Sequence, residues 1–408
     1  MINYERIDSR IQELSTIEKT NDGGVTRLAF SKALLKAQDI VKDWMAEAGL
    51  TVQQDPAGNV IGRKEGEIKN AKPIVIGSHI DSVSNGGKYD GTMGVICAIE
   101  VAQYILENNI RIKRPLEVIS FSEEEASRFG NAFFGSMAFT GTFTQEDLDR
   151  KDVNGISRKE AMKECGFDPD LLFADVARKK GEQELYLEMH IEQGPVLEQK
   201  DISVGIVKGI PGIIMSQVSI VGKSNHIGGT PMNMRQDALL GASELIEQVE
   251  KTCLDFGDSA VGAVGSLHVY PGETNIIPGK VELSIDIRHL DREQLNHMYQ
   301  TIQEASERIA RKRDLNFTFN EKKTQPSPSS TEVIQVMEEK SKELDIEALV
   351  MASGGGHDAQ IMAELSDMGM IFVRSTGGSH NPEEYAAIED IAKGTELLLD
   401  TAVHYLNK

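Results

Sequence analysis

Cysteine is scarce in this chain. Cys97, Cys165 and Cys253 are far apart, form no Cys-x-x-Cys pair and are odd in number, which excludes a disulfide framework and fits free thiols in a reducing cytosol. Aromatic residues make up only 5% of the sequence, with one tryptophan. No apolar run nears the roughly 20 residues needed to cross a bilayer, and the opening segment lacks a basic-then-apolar secretory pattern. A cytoplasmic protein without membrane contact is expected. Basic residues are in deficit: 43 Lys and Arg face 64 Asp and Glu, a formal charge of −21. Such a surface repels phosphate backbones and anionic lipid, which excludes nucleic acid as a partner. Internal repeats, low-complexity tracts and coiled-coil heptads are missing as well.

What is present is an α/β pattern in a chain of 408 residues, too long for one ordinary core, so two domains are expected. Residues 27–49 carry helical periodicity, and 55–59 read as a turn. Residues 73–77 are a short apolar strand, followed by a Gly-rich loop at 86–94 and a helix through Val95, Ile99 and Ile105. The next strand covers 116–121. Strand, helix, strand in this order predicts a right-handed βαβ unit in a mixed or parallel sheet. Residues 141–181 read as polar helical insertions, and 185–190 as another strand. From 208 the pattern changes to a strand (213–221), a helix (235–251), strands (262–270 and 280–287), a helix (291–312) and a strand (315–320). Residues 323–330 read as a return linker, and the strand 369–373 resumes the first style. The division expected is a catalytic domain in two parts, 1–211 and 326–408, interrupted by an inserted α+β domain, 212–325.

The chemistry-bearing residues cluster at predicted strand ends, where loops of an α/β sheet converge on a crevice. His79 follows an apolar strand in Gly77-Ser78-His79-Ile80-Asp81. Asp81 shares a face with it in extended chain and is placed to fix its tautomer as an outer carboxylate. Asp90 precedes Gly91 and is able to bridge two metals. Glu123-Glu124-Glu125 ends the next strand; one carboxylate there can bind metal while its neighbour takes a proton. His190 ends a strand before Glu192-Gln193-Gly194-Pro195, and His380 lies in a loop after a strand. A single His-x-Asp or an acidic run says little, because solvated loops carry them routinely. Three histidines, each just after an apolar strand, point jointly to metal. Imidazole with carboxylate suits zinc, manganese or a similar first-row ion. Two ions about 3.5–4 Å apart can activate one water and polarise a carbonyl.

The chain resembles the hydantoinase/carbamoylase branch of the M20 metallopeptidase family over nearly its whole length. The resemblance runs through Gly23 to Leu28, Asp55 to Asn59, Gly77 to Asp81, Gly86 to Gly91, and Glu124-Glu125 with Ser127-Arg128-Phe129. It continues through His190 to Pro195, Gly229 to Met232, Asn275 with Pro278-Gly279, Asp286 to Arg288, Gly356 to Ala359, and His380 with Glu384-Tyr385. The Glu-Gln-Gly-Pro segment separates this branch from ordinary M20 peptidases and aminoacylases.

The resemblance implies an α/β fold, with a mixed-sheet binuclear-metal catalytic domain and an inserted α+β dimerisation (lid) domain. It implies two divalent ions per subunit, drawn from zinc, manganese, cobalt or nickel. His79, Asp90 and His190 resemble the ligands of one ion, and Asp90, Glu125 and His380 those of the other. Glu124 resembles the general base and acid. His226 resembles an oxyanion stabiliser that reaches into the other subunit of a homodimer. Gln193, Asn275 and Arg288 resemble substrate-binding residues, with Arg288 on the substrate carboxylate, where its planar fork suits such a group. Gly356 and His357 resemble part of the substrate rim. The chain departs from the branch at Ala126, where glycine is usual, at His226-Ile227-Gly228-Gly229-Thr230, and at Gly135-Ser136-Met137. These departures leave the metal positions intact and bear on substrate choice.

The expected activity is hydrolysis of the ureido C–N bond of N-carbamoyl-L-amino acids, small ureido carboxylates, to amino acid, carbon dioxide and ammonia. Allantoate amidohydrolase and β-ureidopropionase are the alternatives within the branch. A dipeptidase or aminoacylase would share the metal site, and a non-catalytic metal-binding scaffold would lack a reason to keep both Glu124 and Glu125. His268, His289, His297 and His404 match no motif.

Overall fold

A computed structural model describes residues 2–174, 177–257 and 259–408. The chain divides into two units, one made of Met1–Gly209 with Ser329–Lys408 and the other of Ile210–Pro328.

Among the described residues, the first unit holds an eight-stranded mixed sheet. Its order is Thr51–Gln54, Val60–Lys64, Leu116–Phe121, Ile74–His79, Leu185–Ile191, Asp367–Val373, Val204–Val207 and Ala348–Met351. The four central strands run parallel, with His79 level with Phe121 and His190 level with Phe372. Strands buried on both faces read as continuous apolar runs, and Ile74–His79, Leu116–Phe121 and Leu185–Ile191 are buried along their whole length. Parallel alignment brings their carboxyl ends, and the polar residues just beyond, to one edge of the sheet. Helix Thr92–Glu107 packs beneath through Val95, Ile96, Ile99 and Ile105. It starts at Gly91, whose φ of +57° turns the chain directly after Asp90. A Cβ there would lie 2.3 Å from the His79 ring, so glycine is the residue that fits.

The helix expected from residue 27 spans Lys32–Glu47, N-capped by Ser31. Arg27 cannot be helical surface: its guanidinium is buried and donates to Ile80 O, Leu14 O and Thr92 Oγ1. Within the expected insertion at 141–181, short helices cover Gln145–Asp149 and Arg158–Glu164, each with a capping box, and a 3-10 turn covers Pro169–Phe173. Residues 175 and 176 lie outside the described residues. The insertion is less polar than its composition, because Leu148, Met162 and Leu172 pack on Phe30, Phe129 and Phe134.

The second unit holds a four-stranded antiparallel sheet in the order Ala260–Tyr270, Lys280–His289, Gly212–Val221, Asn316–Thr324. Helices Ala238–Asp255 and Arg292–Arg313 cover one face, meeting Ile214, Val218, Ile220, Leu283, Ile285 and Ile287. Alternate residues of Gly212–Val221 are buried and outward-facing, as a half-covered sheet requires. The last strand runs through Lys323 and Thr324, so the return segment begins later than residue 323. No described helix is long and apolar enough to cross a membrane.

Candidate metal centre

His79 and His190 end neighbouring buried strands and turn their rings toward Asp90. His79 Nδ1 lies 3.2 Å from the Asp81 carbonyl and 3.3 Å from Asp81 Oδ1, and its Nε2 lies 3.6 Å from Asp90 Oδ1. His190 Nδ1 lies 2.9 Å from the Ile191 carbonyl, and its Nε2 lies 3.1 Å from Asp90 Oδ1. An imidazole whose Nδ1 faces an oxygen carries its proton there and offers the Nε2 lone pair. Both rings therefore present Nε2 to the same carboxylate oxygen.

The other oxygen of Asp90, Oδ2, lies 3.2 Å from His380 Nε2. His380 Nε2 lies 3.6 Å from Glu125 Oε1. Two groups able to hold metal result: the ligand atoms of His79, Asp90 and His190 lie within 4.8 Å of one another, as do those of Asp90, Glu125 and His380. Asp90 belongs to both. Glu124 Oε2 lies 3.8 Å from His79 Nε2, beside the first group.

Asp81 does more than flank His79. Its carboxylate accepts the backbone N–H of Glu124 at 3.0 Å and of Glu125 at 3.1 Å, which fixes the chain as it leaves the strand. Glu123 turns the opposite way and takes a bidentate grip from Arg158 at 2.8 and 3.0 Å, with both side chains fully buried. Arg158 also stacks on Phe129 and Phe134. Nothing in Ser157-Arg158-Lys159 marks that role; the only local signal is the helix start.

Gln193 donates from Nε2 to Asp90 Oδ2 at 2.9 Å and to Ser379 Oγ at 3.2 Å. His357 lies buried rather than at a rim, with its ring centroid 4.6 Å from that of His190 and its Nε2 3.1 Å from Ser353 Oγ. Gly356 packs on Phe133. The other expected residues belong to the second unit. His226 and Asn275 are exposed and meet where Asn225–His226 pairs with Ile276–Ile277; Ile227 N–H donates to the Asn275 carbonyl at 3.1 Å. Arg288 lies on the face of the sheet away from the helices, where its Nε and Nη2 grip both oxygens of Asp286 at 3.0 Å.

Residues 75–404 match Peptidase family M20/M25/M40. The chain belongs to that family. It is 43% identical over 410 residues to the N-carbamoyl-L-amino-acid amidohydrolase of Pseudomonas sp. (strain NS671), covering 99% of each chain. It is 35% identical to the allantoate amidohydrolase of Bacillus subtilis (strain 168), covering 97% of this chain and 96% of that one. The solved structure of a hydantoinase/carbamoylase family amidase from Burkholderia multivorans matches it with a TM-score of 0.92 at 33% identity, covering 100% of this chain and 98% of that one.

The electrostatics of this M20 site fit divalent cations. Burial opposes the charging of His79, but Glu124, Asp81 and Asp90 outweigh it and hold the ring well above the ordinary histidine range. Burial pushes Glu124 well above the carboxylate range, and Glu125 and Asp358 add to it against His79. Burial and Asp90 push Glu125 up to about 7. The hydrogen bond to Asp90 raises His380 to about 9. Buried carboxylates crowded this closely repel one another and take up protons; bound cations relieve the same repulsion. His357 is the exception, held well below the histidine range by burial and by His190, and it packs as a neutral ring.

Proposed function

We propose that this chain is a cytoplasmic, metal-dependent amidohydrolase that cleaves the ureido C–N bond of N-carbamoyl-L-amino acids. The observation that carries this reading is the 43% identity over 99% of both chains to an enzyme of that name. His79, Asp90 and His190 hold one divalent ion and Asp90, Glu125 and His380 a second, a reading supported by the two ligand groups that share Asp90. Zinc, manganese, cobalt and nickel all suit the donor set. When bound, such a pair supplies an activated water and a Lewis acid for the carbonyl.

The chain's own residues move the protons and orient the substrate. Glu124 takes a proton from the attacking water and delivers it to the departing nitrogen. A carboxyl whose burial raises its proton affinity is suited to both steps. Collapse of the released carbamic acid gives carbon dioxide and ammonia. Arg288 receives the substrate carboxylate, with Asp286 fixing one edge of its fork. Gln193, Asn275, Gly356 and His357 shape the substrate site. His226 donates to the developing oxyanion, as a preorganised donor does. It acts across the two-fold of a homodimer. Support comes from its exposure beside Ile227, Met232 and Met234, large apolar side chains that are also exposed and suit coverage by a second chain.

A second reading is allantoate amidohydrolase, favoured by the 35% identity along nearly the whole of such an enzyme. Both substrates join a ureido group to a carboxylate, so Arg288 serves either. Ammonia release from a panel of N-carbamoyl-L-amino acids, 3-ureidopropionate and allantoate, with dipeptide cleavage measured alongside, tests the assignment. Fastest turnover of N-carbamoyl-L-amino acids supports it. Turnover confined to allantoate favours the second reading, and cleavage of dipeptides alone rejects both.

A further inference from the structure

We infer that Glu384 is a positioning residue that braces the Asp90 loop against the His380 loop and thereby holds the Asp90, Glu125 and His380 group together. The inference rests on the proposed metal role of that group. Glu384 follows His380 in a loop closed by hydrogen bonds of 2.8 and 3.0 Å between Thr376 and Tyr385. Gly377, Gly378 and His380 all have positive φ, which folds the loop back on itself. The fold-back buries the Glu384 side chain although His380 is half exposed.

Both oxygens of Glu384 are engaged, and each serves a different loop. Oε1 accepts the backbone N–H of Tyr89 at 3.2 Å and of Asp90 at 3.1 Å. Oε2 accepts the Ser379 hydroxyl at 2.8 Å. Ser379 directly precedes His380, and its Oγ also lies 3.3 Å from Asp90 Oδ2. One carboxylate thus ties the residue that offers both its oxygens to metal to the neighbour of the histidine that closes the second group. The Asp90 loop is shaped to receive it: a Cβ on Gly87 would lie 2.0 Å from Glu384 Oε1 and 2.2 Å from its carboxyl carbon. The carboxylate is spent on the Tyr89 and Asp90 N–H groups and the Ser379 hydroxyl, so Glu384 acts through Asp90 and His380. His79 and His190 sit on buried strands and do not depend on this brace.

Outer partners of metal ligands typically change metal affinity by about 10–100-fold. Glu384→Ala is expected to weaken the ion held with His380 by that factor, and the ion held with His79 and His190, which shares only Asp90 with the brace, by less. Glu384→Gln keeps a carbonyl oxygen for the two N–H donors and turns an amide toward Ser379 Oγ, so it restores most of the affinity. Gly87→Ala displaces the carboxylate without removing it and reproduces the Ala loss. Equilibrium dialysis against graded chelator, with metal analysis and no substrate, reads all three against the wild type. Two ions held with wild-type affinity in Glu384→Ala overturn the inference, as does a Gln variant as weak as Ala. Should Glu384→Ala fail to fold, Gly87→Ala carries the test, and retention of both ions there overturns it. A folded wild type that binds no divalent ion overturns the metal reading itself, and this inference with it.

Discussion

Asp81 Oδ1 accepts the backbone N–H of Glu124 at 3.0 Å, and the Asp81 carboxylate as a whole also holds the N–H of Glu125. One buried side chain thereby sets the direction in which two acidic residues leave their strand. Asp81→Ala leaves two buried donors without acceptors, at about 1–3 kcal/mol each. Denaturant unfolding should show that loss, with Asp81→Asn intermediate because it keeps one acceptor. An unchanged midpoint in the Ala variant would contradict the assignment.

Glu123 points away from its two neighbours because Arg158 captures it. Burial lifts the Glu123 carboxyl to about 7, against the pull of Arg158. Arg158→Met leaves a buried carboxylate without its partner, a change that costs roughly 3–5 kcal/mol. Adding Glu123→Gln should recover part of the loss in a thermal melt. Equal destabilisation in the single and double variants would show that Arg158 matters through its packing on Phe129 and Phe134 instead.

The sequence carries the catalytic core of this fold because parallel buried strands announce themselves as apolar runs, and His79, His190 and the Glu123–Glu125 run stand just at or past their ends. The second unit was legible for the converse reason: strands Gly212–Val221 and Lys280–His289 alternate, and its helices are long. What local pattern cannot carry is pairing at long range. Arg27 sits in a stretch with helical periodicity, yet its guanidinium is drawn inward by three oxygens from distant segments. Arg158 reads as an ordinary helix start, and His357 reads as a loop histidine until the ring contact with His190 places it inside. The partition of the acidic run also depends on tertiary contacts, Arg158 for Glu123 and His380 for Glu125.

Metal uptake should release protons. Glu125, at about 7, and His380, at about 9, both favour their protonated forms below those values. A ligand must shed its proton to bind metal, so affinity falls as pH drops below about 9, where His380 takes up its proton, and more steeply below about 7, where Glu125 joins it. Calorimetric titration of the metal-free protein in buffers of different ionisation enthalpy measures the protons released. Metal binding at pH 6.5 with no net release would contradict the ligand roles of both residues.

The proposed sharing of active sites between subunits predicts complementation. Mixing inactive Glu124→Gln subunits with inactive His226→Ala subunits puts both defects in one site of a mixed dimer and none in the other. Activity should return after subunit exchange, approaching half that of the wild type per mixed dimer. Verified mixed dimers that stay inactive would place His226 outside the partner's site.

Glu124 is proposed to move the protons of ureido hydrolysis beside a metal pair. Ammonia release from an N-carbamoyl-L-amino acid by Glu124→Gln, with bound metal counted in the same sample, tests it most directly. The predicted result is full metal content with turnover reduced by about 10²–10⁴-fold. Near-normal turnover would contradict the claim, and loss of metal would instead give Glu124 the ligand role assigned to Glu125.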